Sequence, residues 1–110
     1  MQKLTINVGL NNCPLTAPKV ADKIRLALGS DFSTYRIARG VYNGEHESTV
    51  VLALGTRKKL SYIVDVVERI ASDLNQECIA IASDSFELLI YSPSYKGDKM
   101  KFDNDFFINL

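Results

Sequence analysis

Between Lys3 and Leu10 apolar and polar residues alternate without a break. Leu4, Ile6, Val8 and Leu10 fall on one side, and Thr5, Asn7 and Gly9 on the other, the period of a half-buried strand. Asn11-Asn12-Cys13-Pro14 interrupts the alternation. The period then changes to that of a helix. Val20, Ile24, Ala27 and Leu28 form one stripe, Thr16 is placed as its N-cap, and Pro18 is tolerated in the first turn. Gly29 is positioned to end the helix at C′.

Alternation returns on both sides of Asn43-Gly44, a pair that accepts the positive φ of a two-residue type I′ hairpin turn. Such a turn pairs Tyr42 with Glu45 and so fixes every other pair. Ile37 then faces Val50, Tyr35 faces Leu52, Ala38 faces Thr49 and Arg36 faces Val51. Apolar residues meet apolar residues, so turn chemistry and pattern specify one register. Next, Leu60, Ile63, Val64, Val67, Ile70, Ala71 and Leu74 trace one face of a long helix, with Thr56 as its expected N-cap and Asn75-Gln76 as its end. Asp65 and Arg69 stand i,i+4 on its outer side. Cys78–Ala82 and Phe86–Tyr91 read as two short strands around a Ser83-Asp84-Ser85 turn.

The order β-α-β-β-α-β, with one further strand, predicts an α+β, ferredoxin-like sandwich with two helices on one face of an antiparallel sheet. Residues 1–92 are expected to form this domain. Residues 93–110 are expected to be a linker and an extended arm, docking on the same subunit or on a partner. Within the arm, Phe102, Phe106, Ile108 and Leu110 alternate on one side and Asp103 and Asp105 on the other, which favours a strand over a solvated tail.

Composition narrows the class. The chain has 110 residues, is 46% hydrophobic and 24% charged, as expected of one soluble domain. It has no apolar run of membrane-spanning length and no secretory leader pattern at its start, so a cytoplasmic location is the default. Cys13 and Cys78 are too few for a disulfide framework or a metal site and are expected as free thiols. Net charge is zero, yet residues 1–60 carry +5 and residues 61–110 carry −5. Zero net charge gives no long-range pull toward nucleic acid.

The candidate chemistry is sparse. The single histidine, His46, alternates away from Glu45 and Glu47, a poor arrangement for a metal, which needs three or four converging ligands. Arg39 shares the expected helix-covered face with Ile37, and with Tyr35 and His46 it defines a possible edge pocket. Arg57-Lys58-Lys59 opens the second helix and, with Lys19 and Lys23, could offer a basic patch to an anion or an acidic partner. The Gly-Thr-Arg-Lys-Lys stretch lacks the glycine spacing of a phosphate loop. The open sheet face should hold Ala38, Val51 and Ala53, which suit packing against another subunit, together with Tyr42, Glu45 and Glu47. It lacks the aromatic motif of RNA-recognition sheets, which disfavours nucleic acid. No Ser-His-Asp set, nucleophile elbow or Cys-x-x-Cys is present.

The expectation is therefore a small binding protein without a catalytic site, metal or cofactor. It would act through protein–protein contacts, self-associate as a homodimer or other homo-oligomer through Ala38, Val51, Ala53, Phe102, Phe106 and Ile108, and have no membrane association. Phage accessory and inhibitor proteins are of this type. The alternative is a small-molecule-binding protein or small enzyme using a pocket near Tyr35, Arg39 and His46.

Overall fold

Seven elements run in the order β1 (Gln2–Gly9), α1 (Ala17–Ala27), β2 (Ser33–Tyr42), β3 (Glu45–Thr56), α2 (Leu60–Asp73), β4 (Cys78–Ala82) and β5 (Glu87–Tyr91). They come from a computed structural model that describes residues 1–97. The arm, with Phe102, Phe106 and Ile108, lies outside the described residues.

The five strands form an antiparallel sheet in the order β2-β3-β1-β4-β5. This is the ferredoxin-like arrangement, with β5 added beyond β4. The hairpin register follows from its turn. Asn43 and Gly44 both have positive φ, 52° and 79°. Ile37 pairs with Val50, Tyr35 with Leu52, Ala38 with Thr49 and Arg36 with Val51.

One face of the sheet is buried under the helices. Leu4, Ile6, Val8, Val50, Leu52, Leu54, Ile79 and Ile81 meet Val20, Ile24 and Leu28 of α1 and Ile63, Val67, Ile70, Ala71 and Leu74 of α2. Val66 joins this core at the flank of the α2 stripe. Both helices end in Schellman motifs. The Ser30 N–H donates to Arg25 O and Gly29 N–H to Leu26 O, while Gln76 N–H donates to Ala71 O and Asn75 N–H to Ser72 O. Gly29 and Asn75 supply the left-handed C′ residue, with φ of 63° and 55°.

The structure differs from the sequence expectation in two places. Thr56 does not cap α2; it is the last residue of β3, and Lys59 holds the N-cap position without a side-chain hydrogen bond. The Thr56 hydroxyl instead donates to Leu28 O at 2.8 Å and accepts from the Lys58 N–H at 3.1 Å. It thereby ties the end of α1 to the approach to α2. The second difference is coverage. β2 lies at a sheet edge, and Tyr35, Ile37 and Val41 on its helix side remain 44%, 50% and 61% exposed. Two helices about 10 Å wide cannot cover a five-strand sheet about 24 Å across. Among the described residues, no helix is long and apolar enough to cross a membrane.

Candidate functional site

Among the described residues the second face of the sheet carries no helix, and toward the hairpin end it is concave. The hollow encloses about 830 Å³ and reaches from β2 across β3 and β1 to β4 and β5. Strand pairing sets its floor: Arg36, Val51, Asn7, Ala80 and Leu89 lie in one row across the sheet. Ala38, Thr49 and Gly9 form the next row toward the hairpin.

The end wall is built from residues far apart in sequence. Tyr42, at the tip of β2, donates its hydroxyl to Glu77 Oε2 at 2.8 Å. This bond links the hairpin end to the start of β4 across the hollow. Glu77 is brought there by the α2 terminus. The Schellman turn delivers Gln76 beside β1, where Oε1 accepts the Gly9 N–H at 3.1 Å and Nε2 donates to Gly9 O at 2.9 Å. The Gln76 amide thus continues the β1 ladder just past the point where β4 stops, and Glu77 follows it onto the concave face. Gly9 matters for a second reason. A Cβ at this position would sit 2.5 Å from Glu47 Oε2, so the glycine makes room for the Glu47 carboxylate above the floor.

The electrostatics of the wall are consistent with these contacts. Burial, followed by the hydrogen bond to Glu77, pushes the Tyr42 phenol well above its ordinary range, so it stays a neutral donor. Burial also raises the Cys78 thiol, with Glu77 and Glu47 adding to the shift and the Tyr42 hydroxyl opposing it. Cys78 is therefore a poor thiolate, and both it and Cys13 are free. Glu45, Glu47 and Glu77 line the hollow with Arg36 and Arg39. Among the described residues, no three His, Cys, Asp or Glu side chains group as metal ligands would. An organic cation needs less: one or two carboxylates and an aromatic face.

The residues singled out from sequence fall in several places. Arg39 lines the margin of the hollow, but Tyr35 and His46 do not. Tyr35 is on the exposed helix side of β2, and His46 is exposed near the hairpin tip. Ala38 and Val51 lie in the hollow, while Ala53 lines a separate 390 Å³ recess at the far end of the same face with Met1, Phe32 and Asp84. The basic residues are divided. Lys23 pairs with Asp73 at the end of α2, 3.4 Å away, about 20 Å along that helix from Lys59. Lys58 lies over the Tyr62 ring at 4.9 Å. Lys19 is on the first turn of α1, on the Lys23 side, so Lys19 and Lys23 do not join Arg57, Lys58 and Lys59 in one patch. Glu77 and Gln76 were missed in the sequence. The β1–β4 ladder stops at Asn7–Ala80, so cross-strand pairing alone does not reach them; curvature and the Gln76–Gly9 contact bring them to the wall.

The fold is similar to that of a phage SAM lyase in its apo state. That structure superposes with a TM-score of 0.61 at 22% identity, covering 86% of this chain and 91% of that one. At this identity the likeness concerns the fold. No protein-family model matches the chain, and no curated protein matches it.

Proposed function

We propose that this chain is a small, phage-type ligand-binding protein whose concave sheet face takes an organic cation of the S-adenosylmethionine kind. The observation that carries the reading is the end wall. The Tyr42 phenol is held by Glu77, with Glu47 beside it over Gly9. A sulfonium is a soft, weakly hydrated cation that suits carboxylates and an aromatic ring better than a metal-like cage. Arg36 and Arg39, on the β2 side of the same hollow, suit a ligand that also bears a carboxylate. The SAM lyase of similar fold lends support by analogy only.

A second reading, cleavage of the same ligand, is favoured by the Tyr42–Glu77 pair. A sulfonium departs as a neutral thioether, so the leaving group needs no acid. A carboxylate beside it can take a proton from the carbon adjacent to the one that loses sulfur, so that the C–H electron pair forms a C=C bond as the C–S pair leaves with the thioether.

The test is calorimetric titration of the intact chain with S-adenosylmethionine and with its neutral thioether counterpart, S-adenosylhomocysteine, followed by chromatography of the mixture. The sulfonium should bind more tightly than the thioether. Glu47→Gln and Glu77→Gln should each weaken it at least thirtyfold, or ~2 kcal/mol or more. Equal binding of both ligands, or no binding of either, overturns the proposal. Breakdown products in the chromatogram support cleavage; intact ligand after long incubation removes it.

A further inference from the structure

We propose that Asn7 reads the base of the ligand, so that the hollow selects a 6-aminopurine over its 6-oxo counterpart; the assignment rests on the adenosyl sulfonium reading above. Asn7 lies within β1, the central strand of the five, where asparagine is a poor strand former. β-branched residues hold comparable places on the same face, Thr5 two residues earlier and Val51 opposite it on β3. The Asn7 side chain is exposed in the hollow, and its amide makes no hydrogen bond to the described residues. A residue that breaks the local strand preference and joins no contact of the fold is placed for a ligand.

The neighbours of Asn7 set what that part of the ligand is. Val51 adjoins it on one side and Ala80 on the other, and Leu89 follows Ala80 in the row. Ala80 has the shortest of these side chains. The strip between Asn7 and Leu89, about 10 Å from Cα to Cα, is therefore a low apolar bed. A flat ring lying on it meets the Asn7 amide at its edge. The amide presents one donating and one accepting group side by side. The 6-amino group and N7 of adenine are the complement, a pairing that asparagine makes with both bonds in one plane. The amide N–H donates to N7, and Oδ1 accepts from the 6-amino group. A 6-oxo purine offers two acceptors at that edge and leaves Oδ1 unmatched.

Length agrees with this placement. Gly9 lies under the Glu47 carboxylate, and Asn7 is two residues from it, about 7 Å along β1. From the sulfonium sulfur to the base nitrogen of an adenosyl group run five bonds, about 6 Å when extended. A sulfonium held at Glu47 thus brings its base to Asn7. Arg36 and Arg39 lie on the β2 side of the hollow, whereas the bed lies toward β4 and β5. The carboxylate and adenosyl arms then leave the sulfur in different directions, as two separate substituents must.

Calorimetric titration of the intact chain and of its Asn7→Val variant tests the assignment, with adenosine and inosine as probes of the base and with S-adenosylmethionine and its thioether as probes of the cation. The parent chain should bind adenosine at least tenfold more tightly than inosine. Asn7→Val should bind the two nucleosides equally and lose at least tenfold in affinity for S-adenosylmethionine, while keeping the parent's ratio of sulfonium to thioether binding. Valine favours the strand, so the variant's thermal midpoint should equal or exceed the parent's. Absent adenosine binding, equal binding of adenosine and inosine by the parent, or a preference that survives in Asn7→Val overturns the assignment. A midpoint several degrees below the parent's also overturns it, because Asn7 would then be holding the fold. The two readings fail separately. If adenosine is preferred but the sulfonium binds no better than the thioether, the cation reading falls and Asn7 stands. If the sulfonium is preferred but the nucleosides bind alike, Asn7 falls and the cation reading stands.

Discussion

Gly9→Ala separates the site from the fold. A Cβ there would meet Glu47 Oε2 at 2.5 Å and its Cδ at 2.7 Å. Both atoms belong to the tip of a flexible side chain, so the carboxylate must swing away while the backbone stays. Gly9 is not among the positive-φ residues, so alanine fits its conformation and should stabilise by ~0.4–1 kcal/mol through the unfolded chain. Displacing Glu47 from its rotamer costs about 0.5–1.5 kcal/mol. The two nearly cancel, and the thermal midpoint should move by no more than about 8 °C, the shift expected for ~1 kcal/mol. Binding should respond more. Moving a carboxylate from about 4 Å to about 7 Å from a cation forfeits ~2 kcal/mol at an effective dielectric near 20, more than tenfold in affinity. Thermal unfolding and calorimetry on the same preparation read both. A destabilisation above ~3 kcal/mol would refute the reasoning, because the Cβ would then be meeting something that cannot move. Unchanged affinity for the cation would equally refute it.

Further outcomes follow from other parts of the molecule. Val67→Asp, at a position 1% exposed, places an unpaired carboxylate in the core and should abolish the cooperative thermal transition. Neutralising Arg57, Lys58 and Lys59 together should change stability by no more than ~0.5 kcal/mol in denaturant melts. Relief of three cations at the α2 N-terminus is offset by loss of the Lys58–Tyr62 contact. Raising the pH should destabilise the domain through Tyr42. Its phenol is held protonated in the fold, while the unfolded phenol ionises near pH 10. The contribution is therefore complete below about pH 10 and is lost as pH rises above it. Tyr42→Phe should flatten the fall in denaturant midpoint above that pH, and an identical slope would count against the Tyr42–Glu77 bond. Cys78 should react with iodoacetamide near pH 8 more slowly than a free-thiol peptide, since burial holds its proton.

The hairpin register was readable because turn type and alternation each specify it, and a one-residue slip would turn Ile37 and Val50 outward. The helical stripe of α2 and the Gly29 stop were readable for similar local reasons. Coverage was not. Alternation assigns Ile37 and Arg39 to the helix side of β2, but whether a helix reaches them depends on the width of the whole sheet. Thr56 was misplaced because a threonine before a helix pattern serves equally as a strand end; the buried Leu28 carbonyl decides its use. The end wall was hidden for a different reason. Tyr42, Glu45 and Glu47 could be placed on the open face by register. Glu77, however, reaches Tyr42 only through sheet curvature and the Gln76–Gly9 contact, across 35 residues of sequence.

Backbone-amide NMR during titration with S-adenosylmethionine tests the central claim most directly. If the concave face is the ligand site, shifts should concentrate at Asn7, Gly9, Glu47, Thr49, Val51, Glu77 and Ala80, leaving Tyr35, Arg57 and Lys58 unmoved. Shifts confined to the helix side, or none at saturating ligand, would contradict it.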